Sequence, residues 1–140
     1  MKTAYVYIMA NAFRTMYVGV TTNLERRVWE HKTHYLPDSF TAKYDITRLV
    51  HVEEYANLDD AIVREKALKG KSRATKVSLI EAENPRWNDL AWDWFEEADI
   101  AADRAPCGAK RDRLTWPRYR PAVDRLRREI HRASLRSGSE

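Results

Sequence analysis

Apolar and polar positions near the start of the chain follow a period of two. Tyr5, Tyr7 and Met9 fall on one side of an extended segment, and Val6, Ile8 and Ala10 on the other, which predicts a first strand. Met16 to Thr21 predicts a second, β-branched and aromatic, with Gly19 permitting a close approach. Asn11 to Arg14 connects them without the Asn-Gly or Asp-Gly pair that would fix a tight turn. Centring the turn near Ala12 sets Tyr7 opposite Tyr17 on one face of the sheet. The period then changes to 3.6. Asn23 or Thr22 caps a helix over about Leu24 to Tyr35, which Pro37 stops. Leu24, Arg27, Val28, His31 and Tyr35 form one stripe of that helix, so a guanidinium and an imidazole stand among core positions.

Pro37 to Asp45 reads as a loop and Thr47 to Tyr55 as a third strand. A second helix begins at Asn57-Leu58-Asp59-Asp60, where acidic residues suit a helix N-terminus, and ends at Lys69 with Gly70 as C-cap. Its stripe of Leu58, Ala61, Ile62 and Leu68 contains Glu65, so the misfit recurs. A charge buried without a partner is expensive, so each misfit needs a partner or a task. A third helix spans about Ala74 to Glu83, and Asn84 to Leu90 is a turn with an aromatic anchor. Trp92 to Gly108 reads as a connector. A last helix, about Ala122 to Arg136, sets Val123, Leu126, Ile130 and Ala133 against an arginine face.

With 140 residues, 44% of them hydrophobic and 33% charged, the chain makes one soluble globular domain with an appendage. We divide it into residues 1–95 and 96–140. The net charge of +4 is unevenly placed. Residues 1–95 hold 14 Lys/Arg against 13 Asp/Glu, whereas residues 104–136 hold 11 against 3. That basic end is either a contact for a polyanion such as nucleic acid or a solvated face. Cys107 is the only cysteine, so no intrachain disulfide forms. No signal peptide or membrane span is evident, and the expected location is the cytoplasm.

With both helical stripes packed on the tyrosine face, Tyr7, Tyr17, Arg27, His31 and Glu65 converge. Such a set suits phosphodiester cleavage. One carboxylate with waters and substrate oxygens can hold Mg²⁺, and the metal polarises the phosphate. Arg27 pairs with phosphate oxygens as charge builds. A tyrosine, with its pKa of about 10 pulled down by Arg27 and the metal, deprotonates water. His31 orients a tyrosine hydroxyl or assists proton transfer. The competing reading is structural, with Arg27 paired to Glu30 or closing an internal salt bridge with Glu65. Trp29 either stacks on a base or packs under a neighbouring helix. The basic stretch from Lys66 to Lys76, with Lys69, Lys71 and Arg73, is suited to tracking a nucleic-acid backbone. No spacing among His31, His34, His51 and Cys107 supports a zinc site.

Tyr5-Val6-Tyr7 followed by Tyr17-Val18-Gly19 resembles the paired signature of the GIY-YIG nuclease superfamily. Arg27, His31 and Glu65 within Ala61 to Gly70 extend the likeness, which runs from about Ala4 to Leu90 and is nearest to a small stand-alone bacterial group. Tyr5 stands where the signature's first triplet has Gly. The resemblance implies an α+β fold, a small three-stranded antiparallel sheet flanked by helices, here with a basic helical C-terminal extension. It implies a single divalent metal on Glu65 but does not fix the substrate; our reading is a Mg²⁺- or Mn²⁺-dependent endonuclease acting on DNA, in repair or processing. Tyr7 and Tyr17 lie near the water nucleophile and Arg27 stabilises the transition state. A late Asn shapes such sites, and Asn88 is the candidate here with Asn84 the alternative. The rival reading is a nucleic-acid-binding module of the same fold that cuts nothing.

Overall fold

The computed structural model describes residues 3–35, 38–98 and 100. Strand β1 (Ala4–Ala10) is the centre of a three-stranded sheet of order β2-β1-β3, flanked by β2 (Met16–Thr21) and β3 (Arg48–Tyr55). Both pairings are antiparallel, with a bulge between Ile8 and Met9 on the β3 side. A central strand is covered on both faces, which explains why Val6, Tyr7, Ile8 and Met9 are all fully buried.

Among the described residues, helices α1 (Leu24–Lys32), α2 (Phe40–Lys43), α3 (Leu58–Lys69) and α4 (Arg73–Glu83) surround the sheet. Each starts on a side chain that accepts a backbone N–H of its first turn: Asn23 from Arg26, Ser39 from Ala42, Asn57 from Asp60 and Ser72 from Thr75. Gly70 is the C-cap of α3 at φ −78°, so its freedom at positive φ is not used. The short α2 lies where a loop was expected. The helix predicted over Ala122 to Arg136, and the appendage to which it belongs, fall outside the described residues.

Two cores sandwich the sheet. Val6, Ile8 and Val18 pack with Ala61, Leu68, Ile80 and Trp87 on one face. Tyr7 and Met9 pack with Leu24, Val28, Ile46, Leu49, Ala91 and Trp94 on the other. Helix α1 therefore covers the tyrosine face while α3 and α4 cover the opposite one. This corrects the expectation that both charged stripes share one face: helical periodicity tells which side of a helix is buried, not which side of a sheet it meets. The hairpin register also differs. Tyr7 stands opposite Gly19, and Tyr17 opposite Met9. Asn11 is the cause, because its Oδ1 accepts the N–H groups of Phe13 (2.9 Å) and Thr15 (2.9 Å) and widens the turn. A two-residue slip keeps the parity, so the tyrosines still share a face.

Two polar knots fasten the layers. Glu53 on β3 accepts from His51 Nε2 (2.8 Å), the Tyr55 hydroxyl (2.7 Å) and Arg64 Nε of α3 (2.8 Å). Asp89 accepts from the Leu49 N–H (3.1 Å), the Ala91 N–H (2.9 Å) and the Lys32 ammonium at the end of α1. Trp29 is buried edge-on to Phe95 with ring centroids 4.9 Å apart, which settles its role as packing.

Candidate active site

On the tyrosine face, α1 delivers Arg27 and His31 one turn apart toward the two phenols. The ring centroids of Tyr7 and Tyr17 are 6.4 Å apart, and His31 lies 5.8 Å from the first and 5.4 Å from the second. The Tyr7 hydroxyl and His31 Nε2 are 3.1 Å apart, and His31 Nδ1 is 3.1 Å from the hydroxyl of Thr41 on α2. The Arg27 guanidinium acts on the Tyr7 oxygen by charge and hydrogen bonding. It is braced from behind by Glu30 Oε2 at 3.0 Å, whose other oxygen takes Arg26 Nε at 3.2 Å. Glu30 is thus the ion-pair partner of Arg27, and no Arg27–Glu65 bridge appears among the described residues.

Donor and acceptor roles in this group follow from chemistry. Arginine only donates, so the Tyr7 oxygen accepts from Arg27 and its own proton must go elsewhere. Burial, aided by the Arg27 charge, lowers His31 to about 4, so the imidazole is neutral at pH 7 and can accept. Tyr7 then donates to Nε2, and the Nδ1–H donates to Thr41. Burial likewise pushes the Tyr7 phenol up to about 12, with Arg27 pulling only partly the other way. Arg27 thus pulls the Tyr7 phenol in the expected direction, but by less than burial pushes it up. Desolvation of a fully buried phenol outweighs one half-exposed guanidinium.

The group opens on a cleft of about 190 Å³ lined by Tyr17, Arg27, Glu30, His31, Ser39, Phe40 and Thr41. Tyr17 borders it, while Tyr7 lies behind, fully buried between the sheet and α1. Glu65 is not in the lining. It is buried on α3 and ion-paired with Lys69, which in turn lies close enough to Tyr17 to interact with it electrostatically. The site thus assembles four of the five expected residues directly, and α3 approaches it through Lys69.

Lys71 and Arg73 are exposed on the α3–α4 junction, and Arg73 donates to the Arg14 carbonyl at 3.0 Å. Asn88 is exposed beside the edge of β3, away from the cleft lining. Asn84 is committed elsewhere: its amide donates to the Val50 and Asn88 carbonyls (3.2 and 2.9 Å) and its oxygen accepts the Asn88 N–H at 3.0 Å. Sequence reasoning missed Ser39, Phe40 and Thr41. The signal was present, since Ser39 precedes a short run able to start a helix.

Among the described residues, no three His, Cys, Asp or Glu side chains gather as a metal cage. Mg²⁺ commonly needs only one or two carboxylates besides water and substrate phosphate. A single buried Glu65 fits that requirement, its present partner being a lysine 55% exposed.

The fold and the cleft define a small α+β domain whose polar centre lies between a sheet and its first helix. The chain belongs to the GIY-YIG family, a nuclease family: the GIY-YIG catalytic domain model matches residues 3–78. Nucleases of this family generally depend on a divalent metal. The chain is 41% identical over 83 residues to a UPF0213 protein of Natronomonas pharaonis, covering 56% of this chain and 92% of that one. It is 36% identical over 85 residues to a UPF0213 protein of Syntrophus aciditrophicus, covering 61% and 97%. A solution structure of a UPF0213 protein from Bacillus halodurans aligns at a TM-score of 0.42 and 24% identity, over 65% of this chain and 97% of that one. No helix among the described residues is long and apolar enough to cross a membrane.

Proposed function

We propose that this protein is a divalent-metal-dependent DNA endonuclease acting in repair or processing. The observation that carries the reading is the convergence of Tyr7, Tyr17, Arg27 and His31 on one cleft. Arg27, held at the cleft wall by Glu30, offers a fork of donors to the scissile phosphate, whose charge grows toward the transition state. Tyr17 borders the cleft and is the phenol placed to meet the attacking water and take its proton. Tyr7 is the positioning partner: its oxygen holds Arg27 and its proton fixes the imidazole in one tautomer. Phosphate binding neutralises Arg27, which removes one of the two effects keeping His31 low, so His31 becomes a better proton acceptor as substrate enters. Glu65 would hold the Mg²⁺ or Mn²⁺ ion, which supplies Lewis-acid stabilisation of the phosphate and leaving oxygen when bound. Lys71 and Arg73 would follow the strand's backbone, and Asn88 a more distant part of it.

The test is cleavage of a labelled panel of single-stranded, duplex and branched DNA by wild type and Glu65→Ala, with Mg²⁺, with Mn²⁺ and with chelator. Products that require metal and vanish in the variant are expected. Equal binding by both proteins with no cutting of DNA or RNA would replace this reading with the non-catalytic nucleic-acid-binding module.

A further inference from the structure

Helix α2 carries a feature that the cleavage chemistry does not use. Phe40 lines the cleft beside Arg27 and His31, yet it is 50% exposed, and it packs at a tilt of 48° against Tyr44, 45% exposed, with ring centroids 4.6 Å apart. Neither ring belongs to either core. The segment that presents them is nevertheless fastened at several points. Ser39 caps it, Thr41 is buried and bonded to the catalytic imidazole, Ile46 N–H closes on the Thr41 carbonyl at 2.8 Å, and the Asn11 amide holds the Tyr44 carbonyl at 2.8 Å. A water-exposed aromatic pair presented by these bonds, at the mouth of a cleft whose other wall is a guanidinium, matches the combination that recognises a nucleotide: a cation for the phosphate and a ring face for the base. The cleft's 190 Å³ is below the range of roughly 300–1,000 Å³ that encloses a drug-sized ligand, so it admits one backbone unit and leaves the neighbouring base at the rim.

We propose that Phe40, backed by Tyr44, is the stacking platform for the base next to the phosphate held by Arg27, so that the bound strand is unpaired at that nucleotide. The inference rests on the nuclease reading for the identity of the strand, but it concerns binding and not cutting. A base inside a continuous duplex has both faces covered by its neighbours, so laying one on the Phe40 ring requires it to leave its stack and its complementary partner. Stacking of this kind is tolerant of sequence, since every base has a ring face.

The experiment measures fluorescence anisotropy of a short labelled single-stranded DNA in chelator, so that no cleavage intrudes. Phe40→Ala and Phe40→Leu are expected to weaken binding by about 5- to 150-fold, the range of one base–aromatic stack, and Phe40→Trp to retain it. An abasic site moved along the strand should at one position weaken wild type by the same factor and abolish the difference from Phe40→Ala. Wild-type binding by Phe40→Leu, or a difference that survives every abasic position, would overturn the stacking role. If Arg27→Ala loses binding while all Phe40 variants keep it, only this proposal fails. A wild-type protein that binds no DNA or RNA strand removes the nuclease reading as well.

Discussion

Gly19→Ala tests the geometry of the site through one methyl group. Gly19 stands opposite Tyr7, and a Cβ built there would lie 2.5 Å from both Cζ and the hydroxyl oxygen of Tyr7, and 2.9 Å from Cε1. Ordinary contact needs about 3.5 Å or more between carbons, so the ring must retreat by roughly an ångström. A surface tyrosine would do so at little cost. Tyr7 is fully buried, and its hydroxyl is bonded to His31 and engaged by Arg27, so retreat breaks the 3.1 Å bond to the imidazole. Overpacking of this kind costs about 1–3 kcal/mol, and the lost hydrogen bond adds about 1 kcal/mol. We expect Gly19→Ala to destabilise the domain by ~2–4 kcal/mol in urea titrations and to lower nuclease kcat by on the order of 100-fold, the effect of an ångström's misplacement. The decisive assay is a cycle with Tyr7→Ala, which removes the ring that the methyl meets. In that background Gly19→Ala should cost little. An unchanged cost there would mean that strand propensity or backbone entropy, and not the phenol, demands glycine at this position.

Three further outcomes follow from the polar groups. In heteronuclear NMR, His31 should keep one proton, on Nδ1, until the pH approaches about 4. Its folded value lies below that of an ordinary imidazole, so it contributes stability that is complete above about pH 6.5 and is lost as pH falls toward 4, about 3 kcal/mol in all; an imidazole midpoint near 6.5 would refute this. Glu53 behaves as an acid-side lock: burial alone would raise it, but the bonds from His51, Arg64 and Tyr55 outweigh burial and hold it at about 2. Its stabilisation is present above about pH 4.5 and lost between there and 2, so the stability difference between wild type and Glu53→Gln should shrink across that window in acid titrations. Asp89→Ala strands the Lys32 ammonium, only 10% exposed, and should cost about 3–5 kcal/mol in denaturant unfolding. Lys32→Met in the same background should recover part of it, and no recovery would show that the backbone bonds of Asp89 matter more than its charge.

Most of the fold was legible because it is written in local patterns. The alternation around Tyr7 marks β1, Asn23 and Asn57 mark where α1 and α3 begin, and the stripes through Val28 and Leu68 mark their buried sides. The misfit of Arg27 and His31 within such a stripe also pointed to the site. Relations between elements were less legible. Whether α3 covers the face of Tyr7 or the face of Val6 depends on the path of the chain after β3, which no window of residues contains. The register of the hairpin depends on a side-chain brace by Asn11, which no turn dipeptide announces. Thr41 and Phe40 were passed over because four helical residues leave too short a trace of period to stand out from a loop. The depressed basicity of His31 and the raised pKa of Tyr7 come from enclosure, a property of the assembled molecule.

The bonds that Asp89 and Leu90 make to Leu49 have a consequence for where this protein can be cut. They give the outer border of β3 a substitute for a fourth strand, and the same stretch sends Trp87 into one core and Ala91 and Trp94 into the other. The match to the catalytic domain ends at residue 78, before any of these groups. A fragment stopped there would keep Tyr7, Tyr17, Arg27, His31 and Glu65, yet would uncover both cores and leave an open strand ready to zip onto a second copy. In this chain the candidate site and the cover for its cores and sheet edge lie on different stretches, and any minimal domain built from it must reach past Trp94.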